Sequence, residues 1–248
     1  MNNHIGERYV NKYGEMAEII EYINCKDVVI KFEYGYTKPV QMGNLKRGNF
    51  TSPYTKKYYN VGYLGEGEYV ATIDGVKTKA YIAWNSMLTR CYDAKNGTLT
   101  KRGYRSTICE EWLNFQNFAK WYYKHYYDYN NEKMCVDKDL LIKGNTHYSP
   151  STCCIVPNSI NTLLLGSDSV RGEYPIGVSY KKGEGFYARC NVDGKCIHIG
   201  TYTSPYEAFL AYKNFKEAHI KEKVENMKDV LPTNVYNALI NYKVEEDD

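Results

Sequence analysis

The stretch "ARCNVDGKCIHIG", residues 188–200, constrains the fold more than any other. The Asp-Gly pair at its centre signals a two-residue type I′ hairpin turn. Such a turn fixes the register: Val192 faces Lys195, Asn191 faces Cys196, Cys190 faces Ile197 and Arg189 faces His198. Alternation then sorts the side chains onto two faces. Ala188, Cys190, Val192, Ile197 and Ile199 share one, and Tyr187, Arg189, Asn191, Cys196 and His198 share the other. The apolar face needs cover, and the next segment supplies it. Ser204 is an N-cap, Pro205 stands at the first helical position and Glu207 completes a capping box. Ala208, Ala211, Tyr212, Phe215 and Ala218 follow as one helical stripe. The expectation is a three-stranded antiparallel sheet packed on one helix.

The other sheet face keeps Tyr187, Arg189, Asn191 and His198 in water, with Lys181 and Lys182 just before it. Arginine reads guanine and asparagine reads adenine in the major groove, so this face suits duplex DNA. In "GVSYKKGEGFYARC", "HIGTY" and "SPYEAFLAYK", across residues 175–218, the chain resembles the Apetala-type (ethylene-response-factor) DNA-binding domain. That resemblance implies that the sheet docks into the major groove. Ser179 and His198 stand where the family often carries Arg or Trp, a departure that bears on sequence specificity. The plain alternative is a structural β-meander with a helix and no ligand.

Upstream lies "VDKDLLIKGNTHYSPSTCCIVPNSIN", residues 136–161. A strand "MCVDKD" leads to a loop at Gly144 and Asn145, a turn and second strand "YSPSTCCIV", and a short helix opening at "PNSINTLLL". Two helical patterns precede it. In the first, Tyr81, Trp84, Leu88 and Cys91 recur at three- and four-residue steps. In the second, "EEWLNFQNFAKWYYKHYY" sets Trp112, Phe115, Ala119, Tyr122 and Tyr126 on one stripe. Both tryptophans read as core residues.

With "WNSMLTRCY" and "EEWLNF" before such a finger, residues 80–165 resemble the HNH endonucleases of phages and mobile elements. Pairing with an Apetala-type module is typical of those proteins. The resemblance implies a ββα-metal finger that holds Mg2+ or another divalent ion, which stabilises charge on phosphate during hydrolysis. By position, Asp137 matches the metal carboxylate and Asn161 the last metal ligand. Lys138 stands in the slot of the general-base histidine, and Thr152 in that of the asparagine which orients the base. A lysine there is charged at neutral pH and a poor base, but it can steady a phosphate. His147, in the loop, is the alternative imidazole. Strand alternation turns Asp139 to the side of Asp137, as a further donor. Cys153 and Cys154 read as strand packing.

The remaining segments are plainer. Residues 1–60 alternate short apolar runs with Gly and Asn, as in "VVIKFEY", and read as a small β module, a barrel of three or four strands. Lys46, Arg47, Lys56 and Lys57 make its end basic, either as a nucleic-acid contact or as a solvated edge. "IDGVK" signals a hairpin. "GSDSVRGEY", residues 166–174, reads as a linker, and residues 226–248 as a tail ending in a frayed "KVEEDD".

The expected order is therefore α+β: a β module (1–60), a helix-framed HNH-like finger domain (61–165), an Apetala-type domain (170–225) and the tail (226–248). A net charge of +3 does not by itself argue for nucleic acid. The 27 tyrosines against 7 phenylalanines fit a half-wet contact surface, or coding bias alone. The eight cysteines form no C-x-x-C pair, which argues against a zinc ribbon. With no apolar leader and no membrane-length run, the expectation is reduced thiols in a cytoplasm, that of the host cell if the chain is phage-encoded.

The functional expectation is a DNA-binding, metal-dependent HNH-type endonuclease that cuts or nicks. The alternative is a catalytically decayed DNA-binding protein, acting as a regulator or as a counter-defence factor against a host protein. A module that binds only protein partners is the third reading.

Overall fold

The computed structural model describes residues 4–98, 105–164 and 173–246. The chain is α+β and divides into two compact units, Met1–Gly97 with Ile108–Tyr123, and Thr98–Thr107 with Lys124–Asp248.

The first unit opens with an antiparallel meander of β1 (Arg8–Val10), β2 (Met16–Asn24), β3 (Asp27–Phe32) and β4 (Thr37–Val40), in that order. Alternation buries Ala17 and Ile19 of β2 and Val28, Ile30 and Phe32 of β3 on one face. Helix α1 (Met42–Lys46) covers that face with Met42 and Leu45, joined by Phe50. The barrel expected of residues 1–60 does not form: the sheet is open. Its outer strands have only three and four residues, too short to close on one another, and α1 seals the core instead.

The Asp-Gly hairpin appears as β5 (Thr72–Ile73) and β6 (Val76–Lys77), with φ of 50° at Asp74 and 78° at Gly75, as a type I′ turn requires. Thr78 caps α2 (Lys79–Tyr92). Trp84 is fully buried and its indole N–H donates to the Trp112 carbonyl at 2.7 Å. The second expected helix is interrupted. A 3-10 turn, Glu110–Leu113, ends at an extended Asn114, whose Oδ1 accepts the Gln116 amide at 3.0 Å and starts α3 (Phe115–His125). Asparagine favours such a cap over a helix interior. Trp112, Phe115, Ala119 and Tyr122 are buried as their spacing predicts, while Tyr126 lies past the helix end.

In the second unit, the amide of Thr107, in the short strand β7 (Thr107–Ile108), donates to Thr146 O. The finger follows the expected order: β8 (Met134–Asp137), β9 (His147–Tyr148), β10 (Cys154–Pro157) and α4 (Asn158–Leu164). Strands β8 and β10 pair antiparallel, with Asp137 opposite Cys154. Then come β11 (Val178–Lys181), β12 (Gly185–Val192), β13 (Lys195–Tyr202), α5 (Pro205–Glu225) and α6 (Thr233–Ile240).

All four cross-strand pairs fixed by the Asp193–Gly194 turn are present. A bulge between Ala188 and Arg189 shifts the register beyond them. Ser204 Oγ accepts the Glu207 amide, so the cap is as expected. Ala208 and Tyr212 are buried under the sheet together with Phe209, which the predicted stripe omitted, whereas Ala218 is exposed.

Helix α5 also runs farther than its sheet needs. Its second half carries Ile220 and Val224 into a separate core with Val156, Ile160 and Leu163 of the finger and Val235 and Leu239 of α6. One helix thus covers both the sheet and the finger. Nor is the C-terminal segment a frayed tail: it forms α6, and Val244, 2% exposed, fills the core under the sheet. Its amide donates to Glu217 and its carbonyl accepts from Lys213, so an apolar side chain and satisfied backbone groups hold it down. Residues 166–172 of the expected linker and 247–248 of the tail lie outside the described residues. Among the described residues no helix is long and apolar enough to cross a membrane.

Candidate functional site

The solvent face of the C-terminal sheet is assembled by the hairpin register. Arg189, Asn191, Cys196 and His198 are exposed, and Tyr187 is half-buried beside them. The Arg189 guanidinium lies 5.0 Å from the Tyr187 ring centroid, and the Tyr187 and His198 rings are 5.2 Å apart. These contacts give the arginine a stacked platform at modest entropic cost. Glu184, from the β11–β12 turn, accepts both the Tyr187 hydroxyl and the Lys181 ammonium. The Lys181 contact, then that of Tyr187, holds its carboxyl below the usual range. Lys181 is therefore locally neutralised, while Lys182 is exposed in the turn. Among the described residues Arg189 makes no ion pair. Ile197, assigned to the apolar face, is 37% exposed because the helix does not reach it.

In the finger, Asp137 ends β8 and its Oδ1 accepts the amides of Asp139 at 2.9 Å and Leu140 at 2.7 Å. Burial, and then the neighbouring Asp139 charge, push the Asp137 carboxyl up to about 6, against which those two amides only partly act. The two carboxyl groups therefore stand side by side, although the strand ends before Asp139. Like Val136, Lys138 takes the inward side of the alternation, and it is 6% exposed with its ammonium 3.0 Å from Asp139. The residue in the base slot is thus largely withdrawn from solvent, with its ammonium held on the exposed Asp139 carboxylate.

His147 lies on β9 with Nδ1 2.8 Å from Thr107 Oγ1, which leaves Nε2 as its second functional nitrogen. Thr152 Oγ1 donates to the His147 carbonyl at 2.8 Å, so it braces this histidine rather than Lys138. Asn145 does more. Its Nδ2 donates to Lys138 O at 2.6 Å and His147 O at 2.7 Å, and its Oδ1 accepts the His147 amide. Sequence reasoning saw only a loop residue there. The legible signal is an asparagine two positions before the strand it caps, where the side chain mimics a turn. Asn161 is half-buried on α4, one turn from Asn158, whose Oδ1 takes the Cys135 thiol two residues before Asp137. Cys153 and Cys154 pack in the core, and burial raises the Cys154 thiol beyond reach of ionisation.

Among the described residues no three His, Cys, Asp or Glu side chains converge as a metal site. Of the two adjacent carboxylates, Asp139 already holds the Lys138 ammonium and Asp137 Oδ1 accepts two amides, so only their other oxygens are left for a hard divalent ion such as Mg2+, which is commonly held by one or two carboxylates and keeps several waters.

Between α4, the β12–β13 hairpin and α5 lies a cavity of about 680 Å3. Lys216 and Lys223 line it with Ser159, whose buried hydroxyl has no hydrogen-bond partner among the described residues. Burial lowers the Lys216 pKa, and Lys223 reaches Asp193 at 3.4 Å.

Comparison with family models, with curated proteins and with solved structures finds no match to this chain.

Proposed function

We propose that this chain is a duplex-DNA-binding endonuclease of the HNH type, which grips DNA with the C-terminal sheet and nicks it at the finger with a divalent ion. The observation that carries the reading is the shared helix: α5 packs on both the finger core and the sheet core, so a carboxylate-bearing ββα element and a stacked, unpaired arginine belong to one compact unit. Asp137 and Asp139 would hold the ion, with Asn161 one helical turn beyond Asn158 as the further oxygen donor. When bound, the ion would stabilise charge on the phosphate and leaving oxygen. The residues themselves supply less than an ordinary site: Lys138 is buried on Asp139, so proton removal falls to His147 Nε2, held by Thr107, Asn145 and Thr152. Loss of an optimal general base costs about 10²–10⁴-fold, which makes slow nicking the expected activity.

The ion pair that ties the buried Lys138 to the exposed Asp139 also favours a second reading, a DNA-binding protein on a decayed nuclease scaffold that serves as a regulator or counter-defence factor. Incubation with supercoiled plasmid and Mg2+ or Mn2+ separates the two. Slow nicking that Asp137→Ala abolishes and His147→Ala diminishes supports the endonuclease. Binding that weakens steeply with salt, without nicking, supports the second reading. Neither nicking nor salt-dependent binding refutes both.

A further inference from the structure

The first unit carries a feature that DNA binding does not use. Tyr34 and Tyr36 flank Gly35 in the β3–β4 turn, where a φ of 93° at the glycine lets the chain reverse within two residues. Tyr54 comes from the loop after α1 and Glu66 from the segment that donates the Gly65 amide to Pro53 O. These four side chains line a cavity of about 480 Å3. Tyr34 is 49% exposed and Tyr54 39%, although their rings are large and apolar.

The rings stand nearly at right angles. Tyr54 is at 80° to Tyr34 with centroids 5.9 Å apart, and at 80° to Tyr36 with centroids 6.2 Å apart. Two perpendicular walls that each face a cation from about 4.5 Å have centroids about 6.4 Å apart, within the range of a cation–π contact. The electrostatics point the same way. Tyr54 donates its hydroxyl to Glu66, and Tyr34 donates to Glu15 at 3.3 Å and shares a short bond with Ser52. Hydrogen bonding to Glu66 raises the Tyr54 pKa, and burial raises that of Tyr34, so both phenols stay neutral. The carboxylates that accept the phenol hydroxyls make the ring faces more negative and repel phosphate.

We propose that this cavity is an aromatic cage for an alkylated ammonium group, of the kind carried by trimethyllysine or a choline headgroup. A bare ammonium brings three N–H donors that must be satisfied, whereas one Glu66 oxygen already accepts from Tyr54. A quaternary ammonium has no donor to satisfy and needs only π faces and a nearby negative charge. Glu66 supplies the charge.

The test titrates the full chain with choline and with its neutral tert-butyl isostere, followed by tyrosine fluorescence or NMR shifts. Saturable choline binding is expected, with a dissociation constant on the order of 1 mM. The isostere should bind at least about tenfold more weakly, or about 1.4 kcal/mol. Tyr54→Leu should abolish binding, Glu66→Gln should weaken it, and Tyr54→Phe, which keeps the ring, should retain most of it. Equal binding of the isostere, no saturable response, or indifference to Tyr54→Leu in a variant that unfolds at the wild-type temperature would each overturn the cage. So would preferential binding of a nucleoside or a proline-rich peptide at the same tyrosines. A trimethyllysine peptide tighter than choline assigns a protein side chain as the source. One no tighter assigns the free small cation.

Discussion

At the scale of single residues, Asp137 is the most informative position. Its carboxyl titrates near 6 in the folded chain against an ordinary 3.8, because burial and Asp139 disfavour the anion. The folded state then holds this proton more tightly than the unfolded chain does. Its contribution is fully present below the unfolded value and is lost as pH rises from about 4 to about 6. The full shift corresponds to roughly 3 kcal/mol at most. Asp137→Asn keeps the acceptor for the Asp139 and Leu140 amides and removes the charge. Under chelating conditions it should be more stable than wild type at neutral pH and equally stable near pH 4, as read by denaturant unfolding at both pH values. Parallel pH profiles for the two proteins would show that the carboxyl is not strained. On the sheet face, Arg189 is stacked on Tyr187 and makes no ion pair among the described residues. Arg189→Ala should weaken duplex binding by about 1–3 kcal/mol if it reads a base, or lower the salt slope by about 1 if it meets a phosphate. Unchanged affinity and slope would move the interface elsewhere.

Among the elements, those with strong local chemistry were legible in advance. The Asp193–Gly194 turn fixed every hairpin pair up to the bulge, because two positive-φ residues admit one register. The cap at Ser204 was legible for the same reason, and it gives a direct test: Ser204→Ala should cost about 1 kcal/mol through the lost bond to the Glu207 amide. Thermal unfolding of the variant at the wild-type midpoint would contradict it. What sequence reasoning missed is long-range. Asn145 bridges two carbonyls nine residues apart, Lys138 and His147, and nothing local marks both as acceptors. By resemblance Lys138 falls in a catalytic slot, yet the alternation with Val136 draws its stem inward and its ammonium is held by the exposed Asp139. The sheet of the first unit stays open because closure depends on edge-strand length, which short apolar runs do not disclose.

For the molecule as a whole, the decisive element is α5, and it changes where the chain can be divided. Sequence periodicity set a domain edge at 225, after which only a tail was expected. Instead, Val244 returns to the core under the sheet, and Met227, Leu231, Val235 and Leu239 complete the core that α5 shares with the finger. A chain ending at 225 would expose Ile220 and Val224 on the helix and Val156, Ile160 and Leu163 in the finger. Removing a buried leucine-sized side chain typically costs about 2–5 kcal/mol, and this cut removes several, against a total domain stability of about 5–15 kcal/mol. The truncated chain should therefore lose cooperative unfolding in its second unit and with it duplex binding, even though every residue of the exposed sheet face is still present. Substituting Val244→Asp in the full chain tests the same coupling more gently: a carboxylate in the core under β12 should lower the melting temperature and weaken DNA binding together. A truncated chain that melts like the full one and binds DNA equally well would mean that the sheet and its helix form an autonomous module, and that the finger and the proposed DNA-binding face need not act as one body.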